Sequence, residues 1–68
     1  MTYQLNGSFR GWHGDTIIEL TNGQIWKQDR YLHHYHYAYR PYVEIEGGTY
    51  NAEITIGGCP PVQCRRLK

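Results

Sequence analysis

The sequence has no long hydrophobic run and no excess of charge of one sign. Seven lysines and arginines stand against six acidic residues, which gives a net charge of +1. This balance offers no electrostatic reason to expect nucleic acid or a membrane surface as the partner. No apolar stretch is long enough for a signal-peptide core or a membrane-spanning helix. We therefore expect a soluble, cytoplasmic protein with no membrane partner.

Signatures of helices and of enzymes are also missing. No stretch places apolar residues at helical spacing between capping residues. The chain has no Gly-rich phosphate loop, no His-Glu-x-x-His and no nucleophile elbow. Its 68 residues make one domain, 1–68, and a domain of this size buries only about 60% of its unfolded surface. We expect a protein that is not an enzyme and holds no cofactor.

The sequence is rich in turn residues, which separate short apolar runs. Eight glycines and three prolines separate alternating stretches, which is the pattern of an all-β protein. The predicted strands are residues 3–10, 16–20, 24–28, 42–46 and 49–56, with a short sixth run at 62–66. The residues predicted to face inward are Leu5, Phe9, Ile18, Leu20, Trp26, Val43, Ile45, Tyr50, Ala52, Ile54, Ile56, Val62 and Cys64. So few inward positions favour a small, strongly bent barrel over a wide sandwich.

Three turns allow the strand register to be predicted. Asn22-Gly23 is the strongest hairpin signal in the chain. A two-residue loop there would pair Leu20 with Ile25. We prefer a three-residue loop over residues 21–23, with Gly23 left-handed, which pairs Ile18 with Trp26. A two-residue loop at Gly47-Gly48 and a five-residue loop at 57–61 predict four further pairs, namely Val43 with Ala52, Ile45 with Tyr50, Ile54 with Cys64 and Ile56 with Val62.

The turn and core residues together resemble a known group of proteins. The residues that carry the likeness are Gly11-Trp12, Gly14, Thr16, Leu20, Asn22-Gly23-Gln24, Trp26, Gln28 and Tyr39-Arg40-Pro41. They look like small bacterial proteins of unknown function with an SH3-like barrel, over residues 11–66. The resemblance implies a single SH3-like barrel. With the strands predicted above, this is a barrel of about five antiparallel strands, with a long Tyr/His-rich connection between the third and fourth strands that we do not expect the group to share. It implies no catalytic residue.

That connection, residues 29–41, has no clean period. Tyr31, Tyr35 and Tyr39 are spaced as on a helix face, whereas Tyr35, Tyr37 and Tyr39 are spaced as on a strand. The residue before Pro41 is expected to be extended. We predict a long loop with a strand-like end, with room for one helical turn.

Aromatic rings interleaved with arginines make this connection the candidate binding surface. Tyr, Trp and Arg are the usual hot spots of protein interfaces, and aromatic grooves of SH3-like barrels bind proline-rich peptides. The predicted function is protein or peptide binding through residues 29–42. The alternative for the same surface is single-stranded nucleic acid; the rings could also merely cover the open ends of a small barrel. The candidate binding residues are Arg30, Tyr31, Tyr35, Tyr37, Tyr39 and Arg40, with Trp12 if its ring is exposed.

Histidines in the same connection form a weaker candidate for a metal site. On an extended segment His34 and His36 point the same way, about 7 Å apart, and imidazole is a common ligand of zinc, copper and nickel. A third ligand would have to be His13, a cysteine or a carboxylate. The alternative is a polar loop whose histidines bind nothing, and no metal is predicted outright.

The two cysteines are predicted to be free thiols. Cys59 and Cys64 enclose Pro60-Pro61, which favours an extended chain. Extended, their Cα atoms would lie about 16 Å apart, beyond the reach of a disulfide. We expect Cys64 in the core and Cys59 in a loop, unless the loop doubles back and brings the sulfurs together.

Overall fold

A computed structural model describes residues 2–68, which form ten short β-strands and no helix. The all-β prediction is confirmed. The strands are β1 (Thr2–Gln4), β2 (Ser8–Phe9), β3 (Trp12–His13), β4 (Ile17–Glu19), β5 (Ile25–Gln28), β6 (His33–His34), β7 (Ala38–Tyr39), β8 (Tyr42–Gly47), β9 (Asn51–Ile56) and β10 (Val62–Arg66). Among the described residues, none belongs to a helix with the length and apolar character needed to cross a membrane.

Six of the strands make one strongly curled antiparallel sheet, a half-barrel with the order β1-β8-β9-β10-β5-β4. Its two edges approach each other at an isolated bridge between Leu5 and Leu20. Beside that bridge, the Asn6 N–H donates to the Glu19 carbonyl at 2.8 Å. The Thr21 N–H donates to the Gln4 carbonyl at 2.9 Å. The curl therefore brings the first and last strands of the sheet into contact.

The concave face of this sheet holds the core. Its buried residues are Leu5, Phe9, Trp12, Ile18, Leu20, Trp26, Val43, Ala52, Ile54, Ile56, Cys59, Val62 and Cys64. The predicted core is confirmed at most positions. Ile45 is only partly buried, and the prediction for Tyr50 is wrong, because its side chain is 67% exposed. Trp12 and Cys59 are core residues that the alternation did not predict.

The hairpin at Asn22-Gly23 has the predicted register. Ile18 lies opposite Trp26, and Gly23 takes a left-handed φ of 91°. The Asn22 side chain also accepts a hydrogen bond from the Gln24 N–H at 3.0 Å. Turn chemistry and burial favour the same pairing here, which is why a prediction from the sequence alone succeeded.

The predicted register of β8 with β9 is wrong by four residues. Ile45 pairs with Ile54 rather than Tyr50, and Gly47 pairs with Ala52. A Cβ added at Gly47 would lie 2.9 Å from the Ala52 Cα. Gly47 therefore belongs to the strand, where the chain passes too close for a side chain. The turn moves onward to residues 48–51, and this carries Tyr50 out to the surface.

The predicted register of β9 with β10 is wrong by two residues. Val62 pairs with Ile54, and Cys64 pairs with Ala52. The Cys59 N–H donates to the Ile56 carbonyl at 3.0 Å, and this turn folds the Cys59 side chain into the core. The connection still spans residues 57–61, so the difference lies in the pairing of the strands and not in the length of the loop. Both cysteines are free, as predicted.

The predicted first strand, 3–10, and the predicted long connection, 29–41, were each wrong in part. Gly7 has a positive φ of 108° and divides the first run into β1 and β2. The connection contains β6 and β7, which pair with β3 and β2 as two small sheets. The Tyr/His-rich stretch is therefore an extended segment lying along residues 8–13.

Candidate binding surface

Four tyrosines of this extended segment form what we call the tyrosine strip: Tyr31, Tyr35, Tyr37 and Tyr39. Their side chains are 57–76% exposed. The residues at alternate positions, Leu32, His34, His36 and Ala38, are half-buried. Successive side chains of an extended chain point to opposite faces. The strip is therefore the outward face of one strand-like segment, and the strand-like spacing is the one that the structure adopts.

The segment is held against residues 8–13 by two short ladders. His34 lies opposite Trp12 in one of them, and Tyr39 lies opposite Ser8 in the other. Between the ladders, Arg10 and Gly11 face three residues, 35–37, so the segment bulges by one residue. A bulge of this kind sharpens the local twist and re-aims side chains.

Gly11 makes the close approach at this bulge possible. It has a φ of 104°, and a Cβ there would lie 2.8 Å from the His36 nitrogen and 2.9 Å from the Tyr35 Cα. Such distances are shorter than real Cβ contacts. Only glycine lets residues 8–13 run directly against the backbone that carries the strip.

Trp12 is not part of the surface, and its inclusion in the binding set was wrong. Its ring is fully buried and packs edge-on against Phe9, with ring centroids 5.3 Å apart. Strict alternation from Phe9 would send Trp12 outward. The left-handed Gly11 between them reverses the alternation, so both rings point inward. The buried Trp12 Nε1 has no hydrogen-bond partner within residues 2–68.

Gln28 fixes the start of the segment, a role that was not predicted from the sequence. It is buried, and its Oε1 accepts from the Gly14 N–H at 2.8 Å. Its Nε2 donates to the Arg30 carbonyl at 3.1 Å and the Leu32 carbonyl at 2.9 Å. The sequence does indicate this role. A glutamine two residues after the inward-facing Trp26 also faces inward, and its buried amide needs hydrogen-bond partners.

Arg30 and Tyr31 border a cleft beside the strip. This cleft, of about 210 Å³, is also lined by Leu32, Glu53, Pro60, Pro61, Val62 and Gln63. The Asp29 N–H donates to the Gln63 carbonyl at 2.9 Å and ties the segment to β10 there. The Tyr31 ring would touch a Cβ at Gly14, at 3.0 Å. Arg30 and Arg40 are both exposed, one before the strip and one after it.

The histidines are divided between the two faces. His34 and His36 are half-buried on the inward side, and His36 Nε2 would lie 3.5 Å from a Cβ at Gly57. His33 is exposed and stacks edge-on against His13. No three His, Cys, Asp or Glu side chains within residues 2–68 come together as a metal site.

Comparison of the chain with protein-family models, curated proteins and solved structures finds no match in any of the three. The surface is therefore interpreted from its own chemistry.

A second, larger cleft of about 600 Å³ was not predicted. It lies away from the strip, and its lining includes Tyr3, Gln24, Trp26, Ile45 and Arg66. Trp26 and Ile45 were predicted as core residues, and the other three as strand residues with no binding role. None of the predicted binding residues lines this cleft.

Neither cysteine is placed for nucleophilic chemistry. Burial, with a smaller contribution from the charge of Asp29, raises the pKa of the Cys64 thiol to about 12. Burial also raises the pKa of Cys59. A protonated thiol is a poor nucleophile and a poor metal ligand, so both side chains act as small core residues at neutral pH.

Proposed function

We propose that this chain is a small cytoplasmic binding module, not an enzyme, that recognises a protein or peptide through the tyrosine strip. One observation carries the proposal: four large aromatic side chains are exposed at alternate positions of a single extended segment. Small soluble proteins seldom expose contiguous apolar surface without a use for it. Tyrosine covers a partner with a large ring and few rotatable bonds, and its hydroxyl can still bond to water when unbound.

The way the segment is held supports the same proposal. Two ladders, the close contact at Gly11 and the hydrogen bonds of Gln28 fix its backbone before any partner arrives. A surface ordered in advance loses little conformational entropy on binding. A strip whose only task was to cover the barrel would turn its rings inward, whereas these rings face solvent.

The cleft beside Tyr31 favours a peptide over a small molecule. Sites for whole small-molecule ligands span about 300–1,000 Å³, and this cleft holds about 210 Å³. That volume suits one side chain of an extended ligand whose remainder lies along the strip. Arg30 and Glu53 in the lining offer charged partners of both signs.

We infer further that the curled sheet is a single SH3-like barrel. The bridge between Leu5 and Leu20 and its two flanking hydrogen bonds support closure of the sheet. Closure would leave the strip on the outside of the barrel, where SH3-like domains bind extended peptides.

The experiment is a selection of random phage-displayed peptides on the immobilised protein, followed by affinity measurement of the enriched peptides. The strip variant is Tyr35→Ser/Tyr37→Ser. The matched control is Tyr50→Ser, which removes an equally exposed tyrosine from the β8–β9 turn. Hot-spot rings contribute about 2 kcal/mol or more each, so we expect the strip variant to lose at least about tenfold in affinity. The control should bind as the wild type does.

Three results would contradict the proposal. The first is no enriched peptide, and the second is an equal loss in the control variant. The third is preferential binding of oligothymidylate with a steep salt dependence, which would assign the strip to single-stranded nucleic acid instead.

A further inference from the structure

Two histidines face each other across the small sheet that anchors the strip. His13 on β3 lies directly opposite His33 on β6. Both side chains are exposed. Their ring centroids are 5.6 Å apart, and the ring planes meet at 67°. Directly opposed residues on antiparallel strands have Cβ atoms about 5 Å apart, so the backbone itself holds these two imidazoles together.

We propose that His13 and His33 together bind one divalent transition-metal ion of the zinc and nickel class. Imidazole nitrogen suits these ions. With zinc–nitrogen bonds of about 2.0–2.1 Å, and about 1.2 Å from nitrogen to ring centre, two imidazoles at a tetrahedral angle have centres about 5.3 Å apart. The observed separation lies a few tenths of an ångström from that value. Because both side chains are exposed, the rings can rotate from their edge-on arrangement until one nitrogen of each points at the ion.

This site replaces the pair suggested by sequence spacing. His34 and His36 follow each other along one strand, but they lie half-buried on the inward side. His13 and His33 are twenty residues apart in sequence, and only the pairing of β3 with β6 brings them together. Both are accessible to an ion in solution.

The site supplies two protein ligands, because no third His, Cys, Asp or Glu within residues 2–68 joins them. Water fills the remaining positions of a tetrahedral ion. Such an open site binds more weakly than a four-ligand structural zinc site. The bound ion cross-links β3 to β6, and so fastens the segment that carries the strip. This inference is independent of the proposed peptide binding.

Calorimetric titration of the untagged protein with Zn²⁺ and with Ni²⁺ tests the site. We expect one ion per chain and a melting temperature that rises with metal concentration. His13→Asn and His33→Asn should each lower the affinity at least tenfold, whereas the control His36→Asn should leave it unchanged. Imidazole proton–nitrogen correlation spectra of the wild type identify the ligands without any variant. The resonances of His13 and His33 should shift on adding Zn²⁺.

The proposal is overturned if millimolar Zn²⁺ and Ni²⁺ produce neither heat nor spectral shifts. It is equally overturned if the shifts fall on His34 and His36, or if both His13→Asn and His33→Asn bind as the wild type does.

Discussion

Arg40 is the one non-glycine residue within 2–68 that has a positive φ, at 47°. The sequence predicted an extended residue before Pro41 because the proline ring crowds its predecessor, and that prediction was wrong. Local contacts account for the difference. The Arg40 N–H donates to the Gly7 carbonyl at 2.9 Å, and the Arg40 carbonyl accepts from Gln4 Nε2 at 3.1 Å. These bonds hold a conformation that costs about 1–3 kcal/mol.

Replacing Arg40 by glycine should relieve this strain. The left-handed conformation destabilises an L-residue by about 1–2 kcal/mol. Glycine avoids this strain, but it loses about 0.5–1 kcal/mol more conformational entropy than alanine when the chain folds. We expect Arg40→Gly to be more stable than Arg40→Ala by about 0.5–1 kcal/mol, measured by urea unfolding. Both variants remove the guanidinium, so their difference isolates the backbone. An alanine variant as stable as the glycine variant would mean that the residue is unstrained.

The buried thiol of Cys64 should make the stability of the protein depend on pH. Its pKa is about 12 in the folded protein, above the ordinary value of about 8.5 that applies when the chain unfolds. Between these values the unfolded state has released a proton that the folded state keeps. The contribution of this thiol to the free energy of unfolding is therefore fully present below about pH 8.5, and it is lost as the pH rises toward 12.

Urea unfolding at several pH values from 8 to 11 measures this effect. The wild type should lose up to about 1.4 kcal/mol per pH unit from this thiol, and Cys64→Ala should lose less. Other groups that titrate in this range are common to both proteins and cancel in the comparison. Parallel slopes would show that the thiol is not protected in the folded state.

Strand registers show what local sequence can and cannot predict. The register of β4 with β5 was predicted correctly because the turn residues and the burial of Ile18 and Trp26 agree. The registers of β8 with β9 and of β9 with β10 were wrong by even numbers of residues. An even slip keeps every side chain on its face, so alternation cannot detect it. The two features that alternation does not report are the close approach of Gly47 to Ala52 and the burial of Cys59.

Gly11 decides both the burial of Trp12 and the position of the strip. Trp12 was a binding candidate only if its ring is exposed, and it is buried because the left-handed Gly11 interrupts the alternation from Phe9. The four tyrosines were predicted as surface candidates, and they are exposed. Their shared face could not be predicted, since the segment contains both a four-residue and a two-residue spacing. Pairing with residues 8–13 selects between the two.

Gly11→Ala should therefore detach the segment from β3. The new Cβ meets the backbone of residues 34–36, and the left-handed φ adds about 1–2 kcal/mol. We expect a loss of at least about 2 kcal/mol of unfolding free energy, with faster amide hydrogen exchange in β6. Gly23→Ala is the control, because its φ is also positive but open space surrounds it. Equal losses in the two variants would leave no role for the close approach.

At the scale of the whole molecule, the aromatic residues that pack the core are different from those of the proposed binding surface. Both tryptophans and the one phenylalanine fill the concave face of the sheet, and the strip tyrosines lie on a separate outward face. A domain of this size has little core to spare, so a surface outside the core adds a function at small cost in stability. Of the two clefts away from the one beside the strip, of about 300 and 600 Å³, the larger is the main alternative to the strip with its cleft of about 210 Å³.

Titration of the ¹⁵N-labelled protein with a selected peptide, followed by amide chemical shifts, distinguishes these two surfaces most directly. If the strip is the binding surface, the largest shifts fall on residues 30–39 and on Val62 and Gln63 across the smaller cleft. The amide resonances of Gln24, Gly48 and Arg66, which line the larger cleft, should not shift. Shifts concentrated on those three residues, with residues 30–39 unmoved, would contradict the assignment of function to the tyrosine strip.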